Sequence, residues 1–563
     1  MDRSRALQVL RQNPEISVLI VGAGINGIGT FRDLSLNGVD VLLIDRSDFC
    51  SGASAASSHM AHGGIRYLEN GEFRLVREAV RERNAMIANA PHMVRPLPTT
   101  IPIFRRLSGL LNAPLKFLGL LDRPSERGAL VIKLGLILYD AFAGAQRTVP
   151  RHRFLGRKES IRRWNKLNPA VVNTATYYDG AILQPERLGL ELVLDAEAAN
   201  DHATALNYLR LQRYEDQSLV LCDELSGELF WVKPLILVNA TGPWIDLSNQ
   251  AIGVPTRFIG GTKGSHIVLN HPELRQAIGD HEFFFENQDG RIVLIFPLYD
   301  RVLVGTSDLP VSDPDAAVAT EAEVNYFIEL VKRVFPKIVV SRSDIVYRFS
   351  GVRPLAAGKS KTTGQITRDH EIQVLPPSRT QLPFPIYSLV GGKWTSWRAF
   401  SEQVTDECLR FLGRSRVVET KGLSIGGGRR YPADAQARRQ MLSEIAHASQ
   451  SSADRAEVLL ERYGTRALQL AEFMAAGDDA PLSSLPDYSR REFEFIAINE
   501  KVVHLDDVLL RRCMLAMLGR ATGRAIEEVA QVLAGPLGWN SGRQQAELTR
   551  TRDILKNQHQ VEL

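Results

Sequence analysis

Apolar runs and the residues that break them divide this chain into recognisable pieces. Val18-Leu19-Ile20-Val21 is a short continuous apolar run that ends in Gly22-Ala23-Gly24-Ile25-Asn26-Gly27-Ile28-Gly29. Such a run bounded by a turn predicts a buried strand. The pattern then becomes helical from Asn26 to Asn37, with Gly38 placed to close the helix. A second apolar run, Val41-Leu42-Leu43-Ile44, ends at Asp45. Residues 17–45 therefore predict strand, turn, helix and strand. Residues 72–90 predict a charged amphipathic helix stopped by Pro91. Two strands fall within 219–245, and period-two segments follow at 265–269, 291–296 and 301–304. Another strand is expected at 386–390. Past Gly426-Gly427-Gly428 the chain turns Ala-, Arg-, Glu- and Leu-rich with helical periodicity over 432–563.

These elements predict an α/β nucleotide-binding part, an inserted antiparallel β region and an all-α C-terminal domain. The expected boundaries are 1–425 for the first two together and 426–563 for the helical domain. Within 1–425, the nucleotide-binding parts are placed at about 15–100, 170–245 and 345–420, and the β region at about 246–345. No internal repeat interrupts this plan.

The first turn carries chemistry. Gly22 permits the tight bend, Gly24 lets backbone approach a pyrophosphate, and Gly27 lets the helix pack closely on the strand. The helix N-terminus offers partial positive charge to phosphates. Asp45 can accept hydrogen bonds from ribose hydroxyls. ADP recognition follows, and by itself it does not separate NAD from FAD.

Composition narrows the classes. A net charge of +4 is the small remainder of 68 basic and 64 acidic residues and gives no warrant for nucleic-acid binding. The four cysteines are scattered without a CxxC pair, so no metal site or disulfide framework is expected. Neither an apolar leader nor a bilayer-length apolar stretch is visible, which predicts a cytoplasmic protein with peripheral contact at the inner face of the membrane left open. Two greasy, basic-flanked segments bear on that contact. One spans Ile103 to Leu118 and reads equally as an interface helix or as buried, whereas Leu130 to Tyr139 reads as buried.

Further motifs follow in order: Ser57-Ser58 before His62-Gly63-Gly64-Ile65-Arg66-Tyr67-Leu68-Glu69, then Asn239-Ala240-Thr241-Gly242-Pro243-Trp244, Lys263-Gly264-Ser265-His266, Gly305-Thr306-Ser307-Asp308, Ser350-Gly351-Val352-Arg353-Pro354-Leu355, Ile366-Thr367-Arg368-Asp369 and Gly391-Gly392-Lys393-Trp394-Thr395. The ordered set resembles the FAD-dependent glycerol-3-phosphate dehydrogenases of the aerobic, respiratory type, over nearly the whole chain. The resemblance implies a Rossmann-like FAD-binding domain, FAD rather than NAD, a substrate-side β domain and a helical cap. It implies hydride transfer from C2 of sn-glycerol 3-phosphate to flavin N5, with electrons passed to a membrane quinone. Flavin contacts are then expected from Gly22, Gly24, Ile25, Asn26, Gly27, Asp45, Ser57, Ser58, His62, Gly63, Thr241, Gly242, Gly392, Lys393 and Thr395. Substrate contacts are expected from Arg66, Tyr67, His266, Arg353, Arg368 and Lys393, with Arg353, His266, Lys393 and Arg66 as the catalytic set. A phosphomonoester calls for arginine because its planar guanidinium binds phosphate oxygens in pairs. Asp308 is expected either to orient one of the two motif histidines or to cap a turn.

The chain departs from the family pattern in three places. His59 follows Ser58 where lysine is usual, Gln184-Pro185-Glu186 replaces an acidic pair, and Ser307 stands in a Thr-Thr-Asp motif. An oxidase of the same fold, an amine or amino-acid oxidase, and a non-catalytic FAD-binding protein stay as alternatives, and homodimerisation is left open. Arg511 and Arg512 are expected to be solvated or ion-paired, and Val502, Leu505, Val508 and Leu509 to face a core. No covalent attachment motif is present. Acid or heat denaturation should therefore release all flavin into the filtrate, and flavin left on the precipitated chain would refute non-covalent binding.

Overall fold

The continuous apolar runs become the parallel centre of a sheet covered on both faces, which is why they need no polar alternation. A computed structural model describes residues 3–65, 72–106, 128–143, 148–287, 291–357 and 369–563. Its eight-stranded sheet runs Glu371–Leu375, Ile386–Val390, Leu229–Asn239, Glu15–Val21, Val41–Ile44 and Ala203–Leu206. A hairpin, Leu209–Glu215 with Ser218–Asp223, joins beside the start of Leu229–Asn239. All neighbours in the row are parallel except Glu371–Leu375. Val21 pairs with both Asn239 and Ile44, so three strands end level. Their next residues, Gly22, Ala240 and Asp45, share one edge at the carboxyl ends of the strands, where ligands of such sheets bind.

The expected first helix is present as Ile25–Leu36, and the second as Phe73–Asn89. Ile28 and Phe31 of the first pack with Val18, Ile20, Leu188, Trp397 and Phe400 in the core between sheet and helices.

The β region is a ten-stranded sheet in which Thr262–Leu269, toward one end, lies between Arg301–Gly305 and Ile345–Arg353. It reaches beyond residues 246–345. Val94–Ile103 and Asn173–Ile182 pair along their whole length and extend it, and Ile345–Arg353 belongs to it as well. The sequence reading grouped these strands with the nucleotide-binding parts, because membership of a sheet is set by non-local pairing that no local pattern reports. One face of this sheet lies under helix Glu321–Val334, with Val324, Phe327 and Val331 on Ile267, Ile295 and Val304. On the other face Phe493, Leu509, Met514 and Leu555 of the helical domain meet Leu294, Phe296, Leu303 and Tyr347.

Val502, Leu505, Val508 and Leu509 are buried as expected, although the segment is a short turn, Leu505–Asp507, running into a π-helical turn, Val508–Arg512. Arg511 and Arg512 are ion-paired, Arg512 buried and Arg511 mostly so. Both grip Asp48, three residues past Asp45, and Arg512 does so with two bonds at 2.6 and 2.9 Å. Tyr208 donates to Asp507 at 2.6 Å on the same seam. A second seam joins Arg187 to Glu500, with the guanidinium over the ring of Tyr463 at 4.3 Å.

Helix Ala129–Ala143 corrects the expectation of burial for the second greasy segment. Its Leu136 and Tyr139 pack on Val76, Val80, Ile103 and Tyr177, while Leu130, Leu134, Ile137 and Leu138 stand 43% to 54% exposed. The 3.6-residue period places those four on the face away from the core. Of the first segment, Ile103 is buried and Phe104 packs against the β-region core, while residues 107–118 lie outside the described residues. No helix among the described residues is long and apolar enough to cross a membrane.

Breaking a buried pair strands its partner's charge, which costs about 3–5 kcal/mol, whereas removing both charges is far milder. Arg187→Met should accordingly lower the urea midpoint strongly, and Arg187→Met/Glu500→Leu should regain most of the loss.

Candidate active site

The glycine turn is shaped by how near its neighbours come. Gly22 has φ +102°, and a Cβ there would lie 2.6 Å from the carbonyl oxygen of Ala240. A Cβ on Gly27 would collide with the carbonyl oxygen of Gly22. The following helix begins at Gly24, which has no side chain to cap it, and Gly24, Ile25 and Asn26 stand on the cavity wall. Asp45 accepts from the amides of Ala23 at 2.7 Å and Ser47 at 2.9 Å, and burial pushes its pKa up to about 6.

Three distant segments are stitched to this turn. Ile25 donates its amide to Ser54 Oγ at 2.9 Å, Asn26 donates to the carbonyl of Gly391 at 3.2 Å, and the Trp394 indole donates to the carbonyl of Ser54 at 2.9 Å. The amide of His62 donates to Thr395 Oγ1 at 2.9 Å. Thr241 is held by Asn239, through both its amide and its hydroxyl. Together they wall a cavity of about 870 Å³ lined by Gly22, Gly24, Ile25, Asn26, Asp45, Ser57, Ser58, His62, Thr241, Gly242, His266, Arg353, Gly392, Lys393 and Thr395. That is nearly every expected flavin contact. Arg46 covers the outer end, stacked on Trp244 at 4.8 Å and paired with Asp315, to which the indole also donates.

Arg353 ends its strand with a 28% exposed side chain that donates to Asp308 at 3.2 Å, and to Thr306 Oγ1 and the Ser307 carbonyl at 3.0 Å each. Asp308 thus orients the arginine rather than a histidine. His266 is 2% exposed, stacked on Phe349 with ring centres 4.8 Å apart, and within 2.9 Å of Ser58 Oγ. Burial, with Arg353 nearby, drives its pKa down to about 3, so it is a neutral imidazole. Lys263 of the same motif faces away and pairs with Glu323 at 2.8 Å. Glu323 also takes the hydroxyls of Ser265 and Ser307. Burial would raise its pKa, but the bonds from Lys263, Ser307, the Thr320 amide and Ser265 outweigh it and leave about 2. Sequence reading missed Glu323, although Thr320-Glu321-Ala322-Glu323 has the spacing of a capping box.

His59 does not line the cavity. It is buried against the carbonyl of Ile182, and burial lowers its pKa to about 4. Glu186 does line it, and burial pushes its pKa up to about 8. Arg66, Tyr67 and Arg368 lie outside the described residues.

Residues 17–372 match the family described as FAD dependent oxidoreductase, and residues 418–544 match the C-terminal domain of alpha-glycerophosphate oxidase. The chain is 32% identical to the glycerol-3-phosphate dehydrogenase of Synechocystis sp., covering 97% of each chain. It is 30% identical to that of Pseudomonas aeruginosa, covering 89% of this chain and 92% of the relative. The chain belongs to the FAD-dependent glycerol-3-phosphate dehydrogenase family. The solved glycerol-3-phosphate dehydrogenase from Bacillus halodurans, complexed with FAD, shares the fold at 20% identity, with a TM-score of 0.76 and coverage of 98% of this chain and 97% of that one.

The cofactor of this family member is FAD, and its residues fit the group. The collision-limited glycines leave backbone open to a pyrophosphate, the helix start on the cavity wall suits its charge, and Asp45 keeps lone pairs for a ribose. A hydrogen bond to a charged acceptor contributes about 1.5–3 kcal/mol. Asp45→Ala should therefore weaken FAD binding by about ten- to a hundredfold, read from flavin fluorescence during dialysis, with much smaller loss for Asp315→Ala at the rim.

Proposed function

We propose that this chain oxidises sn-glycerol 3-phosphate to dihydroxyacetone phosphate and delivers the electrons to a membrane quinone. The observation that carries this reading is Arg353, aimed by Asp308, Thr306 and Ser307 at the wall of the same cavity that holds Lys393 and the glycine turn. Two cations in a partly desolvated cavity suit a dianionic phosphate and the oxygen that gains charge as the alcohol is oxidised. The relatives named above, matched along almost the full chain, support the same substrate. FAD, when bound, would supply the two-electron acceptor for the hydride of C2.

The chain's residues divide the remaining work. Arg353 and Lys393 bind and orient the anion, with Arg66, Tyr67 and Arg368 as further substrate contacts implied by the family motifs. His266, neutral and fixed by Ser58 and Phe349, serves as a hydrogen-bonding wall on the substrate side rather than as a cation. The exposed face of helix Ala129–Ala143 rests on the lipid surface, where a quinone is reached.

Anaerobic sn-glycerol 3-phosphate should bleach the flavin band near about 450 nm while glycerol leaves it unchanged. A flavin that stays oxidised with the phosphate ester overturns the substrate assignment. Hydrogen peroxide formed in stoichiometric yield would instead identify an oxidase. Arg353→Met should lower kcat/KM by about ten- to a hundredfold, the value of a charge-assisted bond. Leu134→Glu/Leu138→Glu should abolish co-sedimentation with lipid vesicles while turnover with a water-soluble dye continues.

A further inference from the structure

Behind the Gly63 turn lies a buried carboxylate that no sequence motif announces. Asp179 ends the sequence Tyr177-Tyr178-Asp179 on strand Asn173–Ile182, and its side chain is 1% exposed. One oxygen, Oδ1, accepts the amide of Gly63 at 2.7 Å and the hydroxyl of Tyr139 at 3.1 Å. The other, Oδ2, lies 3.5 Å from Nδ1 of His62. His62 is 42% exposed and lines the cavity with Lys393, Thr395 and Arg353. With Nδ1 turned to Asp179, Nε2 is the nitrogen left toward the cavity.

The surroundings keep Asp179 ionised. Arg83, fully buried, approaches to 3.7 Å and also donates to Tyr139 and to the carbonyl of Tyr178. Burial would raise the Asp179 pKa, yet His62, Arg83 and the Gly63 amide outweigh it and hold it below the usual carboxylate value. Glu282 stands nearby with its own pKa raised by burial and by Asp179, so it is the neutral acid of the two. The Phe284 ring lies 6.2 Å from the imidazole and supplies an apolar side.

From this arrangement we infer that Asp179 is a positioning residue that fixes His62 as the acceptor of the substrate hydroxyl proton, a role that rests on the alcohol oxidation proposed above. The hydrogen bond made by one ring nitrogen decides which nitrogen carries the proton. Asp179 accepts from Nδ1–H, so the Nε2 lone pair faces the C2 hydroxyl. As hydride leaves C2 for oxidised FAD, the hydroxyl proton passes to Nε2, and the O–H electron pair becomes the second bond of the ketone. The imidazolium then carries one charge beside an aspartate that balances it. Hydrogen bonds of a catalytic pair at such a separation shorten in the reacting complex. Asp179 also holds the loop through Gly63, so aim and backbone are set by one group.

The test uses the full-length flavoprotein. In ¹⁵N-histidine NMR, the His62 signal, assigned by its loss in His62→Gln, should report the Nδ1–H tautomer. A predominant Nε2–H tautomer overturns the inference, even if no Asp179 variant folds. Asp179→Asn should keep its flavin and lose that tautomer bias. Its kcat should fall by about ten- to a hundredfold with KM changed little, while His62→Gln loses about 10²- to 10⁴-fold. Adding Asp179→Asn to His62→Gln should cost less than about threefold more, because residues acting as a unit are not additive. A full additional loss would mean that Asp179 only supports the loop, and overturns the inference. Failure of the wild-type protein to reduce its flavin with sn-glycerol 3-phosphate strikes the parent reading instead. The NMR result stands apart from it.

Discussion

The close approach of backbones at the carboxyl end of the parallel strands is the constraint on which the site depends. Glu15–Val21 finishes level with Leu229–Asn239 and Val41–Ile44, and the next residues must pass one another within van der Waals distance. Only a residue without a side chain can sit at Gly22 facing Ala240, or at Gly27 facing Gly22. That crowding holds the first helix against the sheet and keeps its N-terminus on the cavity wall. The Ser54 loop and the Gly391–Trp394 turn are hung from this corner by bonds through Ile25, Asn26 and Ser54.

Buried carboxylates provide the second organising device. Asp48, Asp179 and Glu323 each collect several donors from segments far apart in the chain. A buried charge is costly unless it is paired and hydrogen-bonded, so each donor set is specified rather than interchangeable. Asp48 ties the helical domain to the loop after strand Val41–Ile44, through Arg511 and Arg512. Glu323 gathers Lys263, Ser265 and Ser307, the backbone neighbours of His266 and Asp308. Two residues of conspicuous motifs, Lys263 and Asp308, thereby serve the framework around the chemistry. Arg353 is aimed into the cavity because Asp308 and Thr306 hold it from behind.

Local pattern was enough for the elements and for the glycine turn, and the family resemblance for the residues around it. Ile25–Leu36, Phe73–Asn89 and the helical domain stand where periodicity put them, and nearly all the residues assigned to the flavin line one cavity. Turn chemistry and glycine spacing are short-range constraints, and so they are written in contiguous residues. The sheet boundaries were less legible, since Val94–Ile103 and Ile345–Arg353 declare their sheet only by pairing. Helix Ala129–Ala143 was read as buried because it is apolar, yet only one of its faces finds a partner.

The sequence alone determined the order of strands and helices, the glycine turn, the acid at the end of the second strand and the membership in a flavoprotein family. Each of these is written in short contiguous motifs and in the order of those motifs along the chain. Tertiary structure alone decided which histidine opens to the cavity, that His266 is a buried neutral ring, and that Asp179 stands behind His62. These facts depend on the packing of strands more than a hundred residues apart. A side chain's exposure and charge state belong to the environment that surrounds it, and that environment exists only once the chain has folded.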